Sequence, residues 1–157
     1  MKLFLLLALL LAVPCAGQKY SGPQPEKADL PYLLHATNLV ATEAQEAQQE
    51  QKKDTTTFVV AGASSPARTP LSEPIFLLRS EKLVPERLSL YKMEVRGGRR
   101  EVSFNAKKAK ESAQPVSLSV KRLDQGLYRV EANEMMAEGE YCLSPEGSNE
   151  VFCFQIY

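Results

Sequence analysis

Two cysteines near the C-terminus are the first residues whose type and spacing point to defined chemistry. The 157-residue chain has three cysteines, and Cys15 follows an apolar N-terminal run of the kind that is removed on export. Cys142 and Cys153 remain, and an even pair in an exported chain is typical of a disulfide. A redox-active pair is the alternative, but it would need closer C-x-x-C spacing and a neighbouring histidine. We therefore predict a structural disulfide between Cys142 and Cys153.

The segments around these cysteines predict how they meet. Residues 140–144 and 151–157 alternate in side-chain character, and turn-forming residues separate them. A loop over residues 146–149 places Cys142 directly opposite Cys153 and groups the neighbouring apolar side chains on the other face. A shift of one residue would mix the two faces, so the alternation predicts this register.

Charge is distributed unevenly along a chain whose formal net charge is zero. Residues 87–122 hold ten basic and three acidic residues, whereas residues 123–157 hold one basic and seven acidic. One hypothesis is an exposed basic surface that binds an anionic envelope polymer, lipid headgroups or an acidic protein partner. The alternative is that adjacent strands bring the two blocks together and neutralise them. Nucleic acid is not an expected partner, because clustered aromatics do not accompany the basic residues. The residues predicted for the basic surface are Arg96, Arg99, Arg100, Lys107, Lys108 and Lys110.

Other residue types that serve catalysis do not form a recognisable pattern. His35 is the only histidine, and we interpret it as a polar residue at the start of a strand. Ser64 and Ser65 follow a glycine but stand among prolines, and no G-x-S-x-G or phosphate-binding motif occurs. With 19 acidic residues, a carboxylate pair for a hydrolase arises by chance and none is singled out. We predict no catalytic, cofactor-binding or metal-binding residue.

Short β-rich segments must position these residues. The clearest hairpin spans residues 87–104, where Gly97 and Gly98 favour a tight two-residue turn and predict Val95 opposite Arg100. Together with the C-terminal hairpin, the predicted segments give about nine short strands, which is the pattern of an all-β antiparallel sandwich. The other predicted strands lie in residues 33–40, 55–61, 75–78 and 116–131.

Three segments do not show this pattern of short strands. Residues 41–54 are rich in alanine, glutamine, glutamate and lysine, which favour a helix but have little apolar surface, so we predict a solvated helix or a mobile excursion. Residues 63–74 contain three prolines and are predicted to be a loop or an edge segment. Residues 18–31 are predicted to be an extended leader that precedes a single domain over 32–157.

The N-terminus has the order of a secretory signal peptide. Lys2 is followed by an apolar run to Val13 and then by small residues, so we predict a signal peptide over residues 1–17. The run is shorter than the roughly 20 residues of a membrane span, and none is predicted in the mature chain. Pro14 stands where a lipoprotein motif needs a small residue, so lipid anchoring at Cys15 is not expected. The predicted location is secreted or periplasmic.

A family resemblance is carried by residues 135–141, Met-Met-Ala-Glu-Gly-Glu-Tyr. This segment resembles the tyrosine corner of immunoglobulin-like and fibronectin type III-like sandwiches, which implies such a sandwich in the broad sense and a hydroxyl of Tyr141 bonded to nearby backbone. The chain departs from antibody domains in having no tryptophan and in having both cysteines in one hairpin. Residues 29–36 and 65–71 are similar to segments of small uncharacterised exported bacterial proteins, which implies no activity.

These observations favour an exported, non-catalytic binding or envelope-interaction module. A small carboxylate-dependent hydrolase is one alternative. Another is an accessory subunit that pairs with a partner through an edge strand, for which the apolar tail 151–157 is the candidate.

Overall fold

A computed structural model of the protein describes residues 19–157, and this part of the chain is all-β. The predicted signal peptide, residues 1–17, lies outside the described residues. The strands are β1 (Tyr32–His35), β2 (Asn38–Ala41), β3 (Glu43–Glu46), β4 (Gln48–Lys52), β5 (Thr55–Ala61), β6 (Arg68–Thr69), β7 (Ile75–Arg79), β8 (Leu88–Arg96), β9 (Arg99–Asn105), β10 (Leu118–Asp124), β11 (Leu127–Ala132), β12 (Gly139–Pro145) and β13 (Glu150–Ile156). Two single-turn 3-10 helices occupy Pro85–Arg87 and Ala109–Glu111.

The strands form two sheets. The smaller sheet has the order β10-β11-β7-β1-β2, and the larger sheet has the order β3-β13-β12-β8-β9-β5-β4. Neighbouring strands in both orders are antiparallel, and the short strand β6 adds a parallel pairing to the end of β13. The larger sheet therefore contains eight strands and the smaller one five.

The larger sheet curls back on itself. Its two terminal strands, β3 and β4, are consecutive in the chain and are separated only by Ala47. The backbone amide of Ala47 donates to the carbonyl of Asn149 at 2.8 Å, which ties this junction to the loop between β12 and β13. Because a single residue connects the two terminal strands, the sheet must curve so that one of its faces is enclosed. A flat layer of a sandwich has no such enclosed face.

Alternation along the strands builds two apolar cores. On the outer face of the curl, Leu143, Phe152 and Phe154 pack with Phe76 and Val130 of the smaller sheet. The rings of Phe76 and Phe154 meet edge to face, with centroids 5.2 Å apart. The inner face carries a separate cluster, described below. The protein is thus a curled sheet with a second sheet packed on its outer side.

Both clearest hairpin predictions are confirmed. Val95 pairs with Arg100 across a turn at Gly97 and Gly98, whose φ angles of 56° and 76° are those that favour glycine. In the C-terminal hairpin Cys142 pairs with Cys153, as the alternation predicts. The predicted strand over residues 55–61 is β5 without a change of bounds.

The predicted helix or excursion at residues 41–54 is wrong, because this segment forms β3 and β4. Helix propensity is a weak preference that tertiary pairing overrides. Here β3 pairs with β13 and β4 pairs with β5, so the segment supplies partners to two strands that would otherwise be edges.

The count of about nine strands is also wrong, because residues 19–157 form thirteen strands. Residues 33–40 divide into β1 and β2, and β3, β4 and β6 were not expected.

The tail and the leader are both held in place. The expectation that residues 151–157 form a sheet edge is wrong, because β13 pairs with β12 on one side and with β3 and β6 on the other. Residues 19–31 contain no strand, in keeping with an extended leader, but Asp29 anchors them. Its carboxylate accepts three backbone N–H bonds, from Glu81, Lys82 and Leu83, at 2.9–3.0 Å.

Candidate functional site

The curl of the larger sheet encloses an open cavity of about 330 Å³, which we call the inner pocket. Its wall is aromatic and consists of Phe58, Tyr91 and Phe104. The Phe104 ring meets the Tyr91 ring at 5.2 Å and the Phe58 ring at 6.0 Å, both edge to face. All three aromatic residues are only partly buried, so their rings present apolar surface to the cavity.

Strand periodicity explains why these residues meet. Successive side chains of a strand point to opposite faces, so Tyr91 and Met93 of β8 share the inner face with Val102 and Phe104 of β9. The intervening residues, such as Glu94 and Glu101, face outwards. The hairpin alternation recognised in the sequence therefore creates the pocket wall, but its concave shape comes from the curl.

The floor of the inner pocket contains the disulfide. Cys142 and Cys153 are joined and buried, and they pack with Val60, Met93 and Val102. The predicted disulfide is confirmed. What the sequence analysis missed is that the face of the hairpin that carries the cysteines is the inside of the pocket.

Apart from Tyr91, whose ring carries a hydroxyl, the polar side chains that line the pocket lie at the rim. Ser89 and Ser144 lie on neighbouring strands at the mouth, and the loop of residues 145–149 completes the rim with Glu146, Ser148 and Asn149. Within residues 19–157, Glu146 is the only acidic residue that lines the pocket, and no lysine, arginine or histidine lines it. The side chain of Glu146 is exposed, and Arg87 lies 3.7 Å from it.

Below the disulfide the inner face carries a group of polar residues, which we call the ionic cluster: Arg100, Glu43, Glu140 and Ser65. Arg100 is fully buried and binds Glu43 through two nitrogens at 2.7 and 3.1 Å. It also donates to the carbonyls of Ala61 and Gly62, at 2.8 and 3.0 Å. The inward residues Arg100, Val102 and Phe104 follow one another along β9, so the ionic cluster closes the end opposite the pocket mouth.

Glu140 completes the ionic cluster. Its side chain is 4% exposed, lies 3.7 Å from Arg100 and accepts the Ser65 backbone N–H at 2.9 Å. The Ser65 hydroxyl donates to the carbonyl of Cys153 at 3.1 Å, so Ser65 links the cluster to the disulfide strand. Ser65 lies in a loop, as its neighbouring prolines suggest, but its burial in the ionic cluster was not expected.

The pKa of the Glu43 carboxyl is lowered from its ordinary value. Burial acts to raise this pKa, but hydrogen bonds from Arg100 and Gln45 favour the ionised form and outweigh it. Glu43 is consequently held as a carboxylate against the buried guanidinium.

The structure buries one residue of the predicted basic surface and pairs four others with acidic side chains. Arg100 is buried in the ionic cluster and cannot contribute to a surface. Four of the other five residues are paired with acidic side chains, and Lys110 is exposed in the second 3-10 helix. The pairs are Arg96 with Glu94 and Glu101, Arg99 with Glu50 and Glu101, Lys107 with Asp54, and Lys108 with Glu111. None of these partners comes from the acidic C-terminal block, residues 123–157.

Tyr141 lies on the outer face of the larger sheet, away from the pocket. Its ring stacks on Phe154, with centroids 5.8 Å apart, and its hydroxyl donates to the carbonyl of Ala137 at 2.8 Å. Burial raises the pKa of this hydroxyl. Tyr141 thus joins the core between the sheets to the segment before β12.

The remaining residues with catalytic potential are not brought together. His35 ends β1 in the smaller sheet rather than starting a strand. Within the described part of the chain, no group of three or more histidine, cysteine, aspartate or glutamate residues is placed to hold a metal ion. No helix among residues 19–157 is long and apolar enough to cross a membrane.

Comparisons with models of protein families, with curated proteins and with solved structures give no match to this chain. The assignment of a function therefore depends on the geometry of the inner pocket and of its surroundings.

Proposed function

We propose that the protein is an exported, non-catalytic binding module that holds a small, mainly apolar molecule in the inner pocket. The observation that supports this proposal is the aromatic-walled cavity of about 330 Å³. Small-molecule sites are typically concave, mostly apolar and about 300–1,000 Å³ in volume, with a few polar groups for orientation. The pocket has an apolar floor, three aromatic rings in its wall and serine hydroxyls at its rim.

The energetics of packing support the same proposal. Protein interiors are close-packed, and voids larger than a water molecule are few. Leaving apolar surface in contact with water costs roughly 25 cal/mol per Å². Phe58, Tyr91 and Phe104 are nevertheless left partly open on a concave surface, and a bound apolar molecule would remove this surface from water.

The surroundings of the pocket support a preformed site. The disulfide crosslinks the two strands of its floor, and the ionic cluster closes the opposite end with charge-assisted hydrogen bonds. A ligand therefore has little ordering of the protein to bring about, which favours affinity.

Export is the part of the proposal that rests on the sequence and on the disulfide. Disulfides persist in oxidising compartments, and the Cys142–Cys153 bridge fits a secreted or periplasmic location. We also propose that the packing of the two sheets is related to immunoglobulin-like sandwiches in the broad sense. The bond from the Tyr141 hydroxyl to the Ala137 carbonyl supports this relation.

The other candidate functions lack a comparable site. An anion-binding surface has little support, because Arg100 is buried and four of the other basic residues are paired. A carboxylate hydrolase would need two facing carboxylates in a cleft, but Glu43 and Glu140 are buried with Arg100. Pairing through the tail 151–157 has little support, because β13 already has strands on both sides.

Titration with 1-octanol in a calorimeter tests the proposal. We expect saturable binding at one site in the unaltered protein. Ser89→Trp places an indole at the pocket mouth and should abolish binding, whereas Ser119→Trp, on the exposed side of β10 in the smaller sheet, should retain it. Ser144→Phe provides a second blocking variant in case Ser89→Trp fails to fold. The absence of saturable binding in the unaltered protein would contradict the proposal, as would equal binding by the blocked and control variants.

A further inference from the structure

We infer that the ligand of the inner pocket is an uncharged amphiphile, with an apolar body against the disulfide floor and a hydroxyl or amide group at the rim. This inference rests on the proposed function and specifies the chemical class of the ligand. It is based on which polar groups line the cavity and on where they lie.

The floor of the pocket excludes a polar body. Val60, Met93, Val102 and Cys142 offer no hydrogen bond to compensate a polar ligand atom beside them, apart from the weak capacity of sulfur. A polar group placed there without a partner would lose its hydration at a large cost. The apolar end of the ligand must therefore lie deepest.

The rim accommodates a polar but uncharged end. The hydroxyls of Ser89 and Ser144 and the amide of Asn149 can each donate and accept a hydrogen bond. Such groups match a ligand hydroxyl or amide, which also donates and accepts. They lie at the mouth, so an amphiphile that enters with its apolar end first brings its polar end to them.

The charges at the rim disfavour ionic ligands. Among the lining residues in 19–157 there is no cation, so a carboxylate or phosphate would find no counter-charge, and it would also face Glu146. A cationic ligand would have to compete with Arg87 for Glu146, whose side chain is largely hydrated. The rim therefore complements a neutral polar group better than it complements an anion or a cation.

The volume limits the ligand size. A dry apolar cavity of about 150 Å³ accepts benzene. The inner pocket is about twice that volume, which corresponds to a body of roughly ten to twelve non-hydrogen atoms. A medium-length alkyl chain or a fused pair of aromatic rings falls in this range.

The experiment compares three probes with the same eight-carbon chain: 1-octanol, octanoate and octylammonium. We expect 1-octanol to bind at least about threefold more tightly than either ion, because octanoate finds no counter-charge at the rim and octylammonium must compete with Arg87 for Glu146. A rim variant separates this effect from the water solubility of the probes. Asn149→Lys adds a cation at the mouth and should improve the affinity for octanoate relative to 1-octanol by about threefold or more.

The outcomes distinguish this inference from the proposed function. If none of the probes binds, the proposed function fails. If octanoate or octylammonium binds as tightly as 1-octanol, or if Asn149→Lys leaves the ratio of octanoate to octanol affinity unchanged, the inference is overturned while the pocket remains a binding site. Asn149→Gln provides the matched control and should leave that ratio at its original value.

Discussion

Arg100 shows how far the environment of one residue can depart from what its type suggests. Charged residues are rarely fully buried unless they are paired, and Arg100 is both fully buried and paired. Its planar guanidinium binds the Glu43 carboxylate through two nitrogens, and the backbone carbonyls of Ala61 and Gly62 accept further hydrogen bonds. The buried positive charge is compensated by Glu43 and, at greater distance, by Glu140.

Removing this charge should destabilise the fold strongly. Arg100→Met leaves two carboxylates without their cation, and breaking a buried pair in this way costs about 3–5 kcal/mol of the free energy of unfolding. Urea unfolding followed by circular dichroism measures the loss. Arg99→Met, at an exposed neighbour, should leave the midpoint nearly unchanged. Adding Glu43→Gln to Arg100→Met should restore part of the stability, and a midpoint unaffected by Arg100→Met would contradict a structural role for the ionic cluster.

At the scale of elements, the β12–β13 hairpin serves both sheet faces at once. One face carries Tyr141, Leu143, Phe152 and Phe154 into the core between the sheets. The other carries Cys142 and Cys153 into the inner apolar cluster, where Cys142 lines the floor of the inner pocket. Strict alternation makes this possible, because a shift of one residue would place the cysteines in the wrong core.

The disulfide should contribute modestly to stability. The bridged residues are 11 apart in sequence, and in the chain-entropy model a loop of this size is worth at most about 3 kcal/mol. Because the hairpin is already local, we expect Cys142→Ala/Cys153→Ala to lower the free energy of unfolding by less than this limit, with the fold retained. Urea unfolding of this variant beside the oxidised and the reduced unaltered protein measures the effect. Equal stability of oxidised and reduced protein would contradict it.

At the scale of the whole molecule, partly buried carboxylates that accept hydrogen bonds link stability to pH. Burial raises the pKa of Asp29, but its three backbone N–H bonds lower it by more, so the net shift is downward, as it is for Glu43. A carboxyl whose pKa is lower in the folded state stabilises the fold above its unfolded pKa, about 3.9 for Asp and 4.3 for Glu. This contribution is lost as pH falls through the folded pKa.

Asp29→Asn should therefore reduce the dependence of stability on pH in acid. We expect the unaltered protein to lose stability steadily below about pH 5, and Asp29→Asn to lose less over the same range, although it is less stable at neutral pH. Thermal unfolding midpoints measured from pH 7 to pH 2 test this. Glu73→Gln, at an exposed loop position, is the control and should follow the unaltered protein. Parallel curves for the unaltered protein and Asp29→Asn would show that the Asp29 interactions are not pH-linked.

The sequence by itself determined the local pairings. The Gly97-Gly98 turn, the opposition of Cys142 and Cys153 and the strand over residues 55–61 all follow from alternation and turn chemistry within a few residues. The all-β class follows from the same signals repeated along the chain. Such pairings involve neighbours in sequence, so local preferences are sufficient to specify them.

The tertiary structure alone decided the curl, the pocket and the burial of Arg100. Residues 43–46 become a strand because β13, distant in sequence, presents an edge for them to pair with, whereas residues 48–52 form a hairpin with β5, which follows them after two residues. This pairing joins the two ends of the larger sheet through Ala47 and makes one face of the sheet concave. The same closure brings Glu43 to Arg100, 57 residues away, and turns a predicted surface cation into an interior one. Local sequence patterns do not specify the pairing of β3 with β13 or of Glu43 with Arg100, because both depend on how distant parts of the chain pack together.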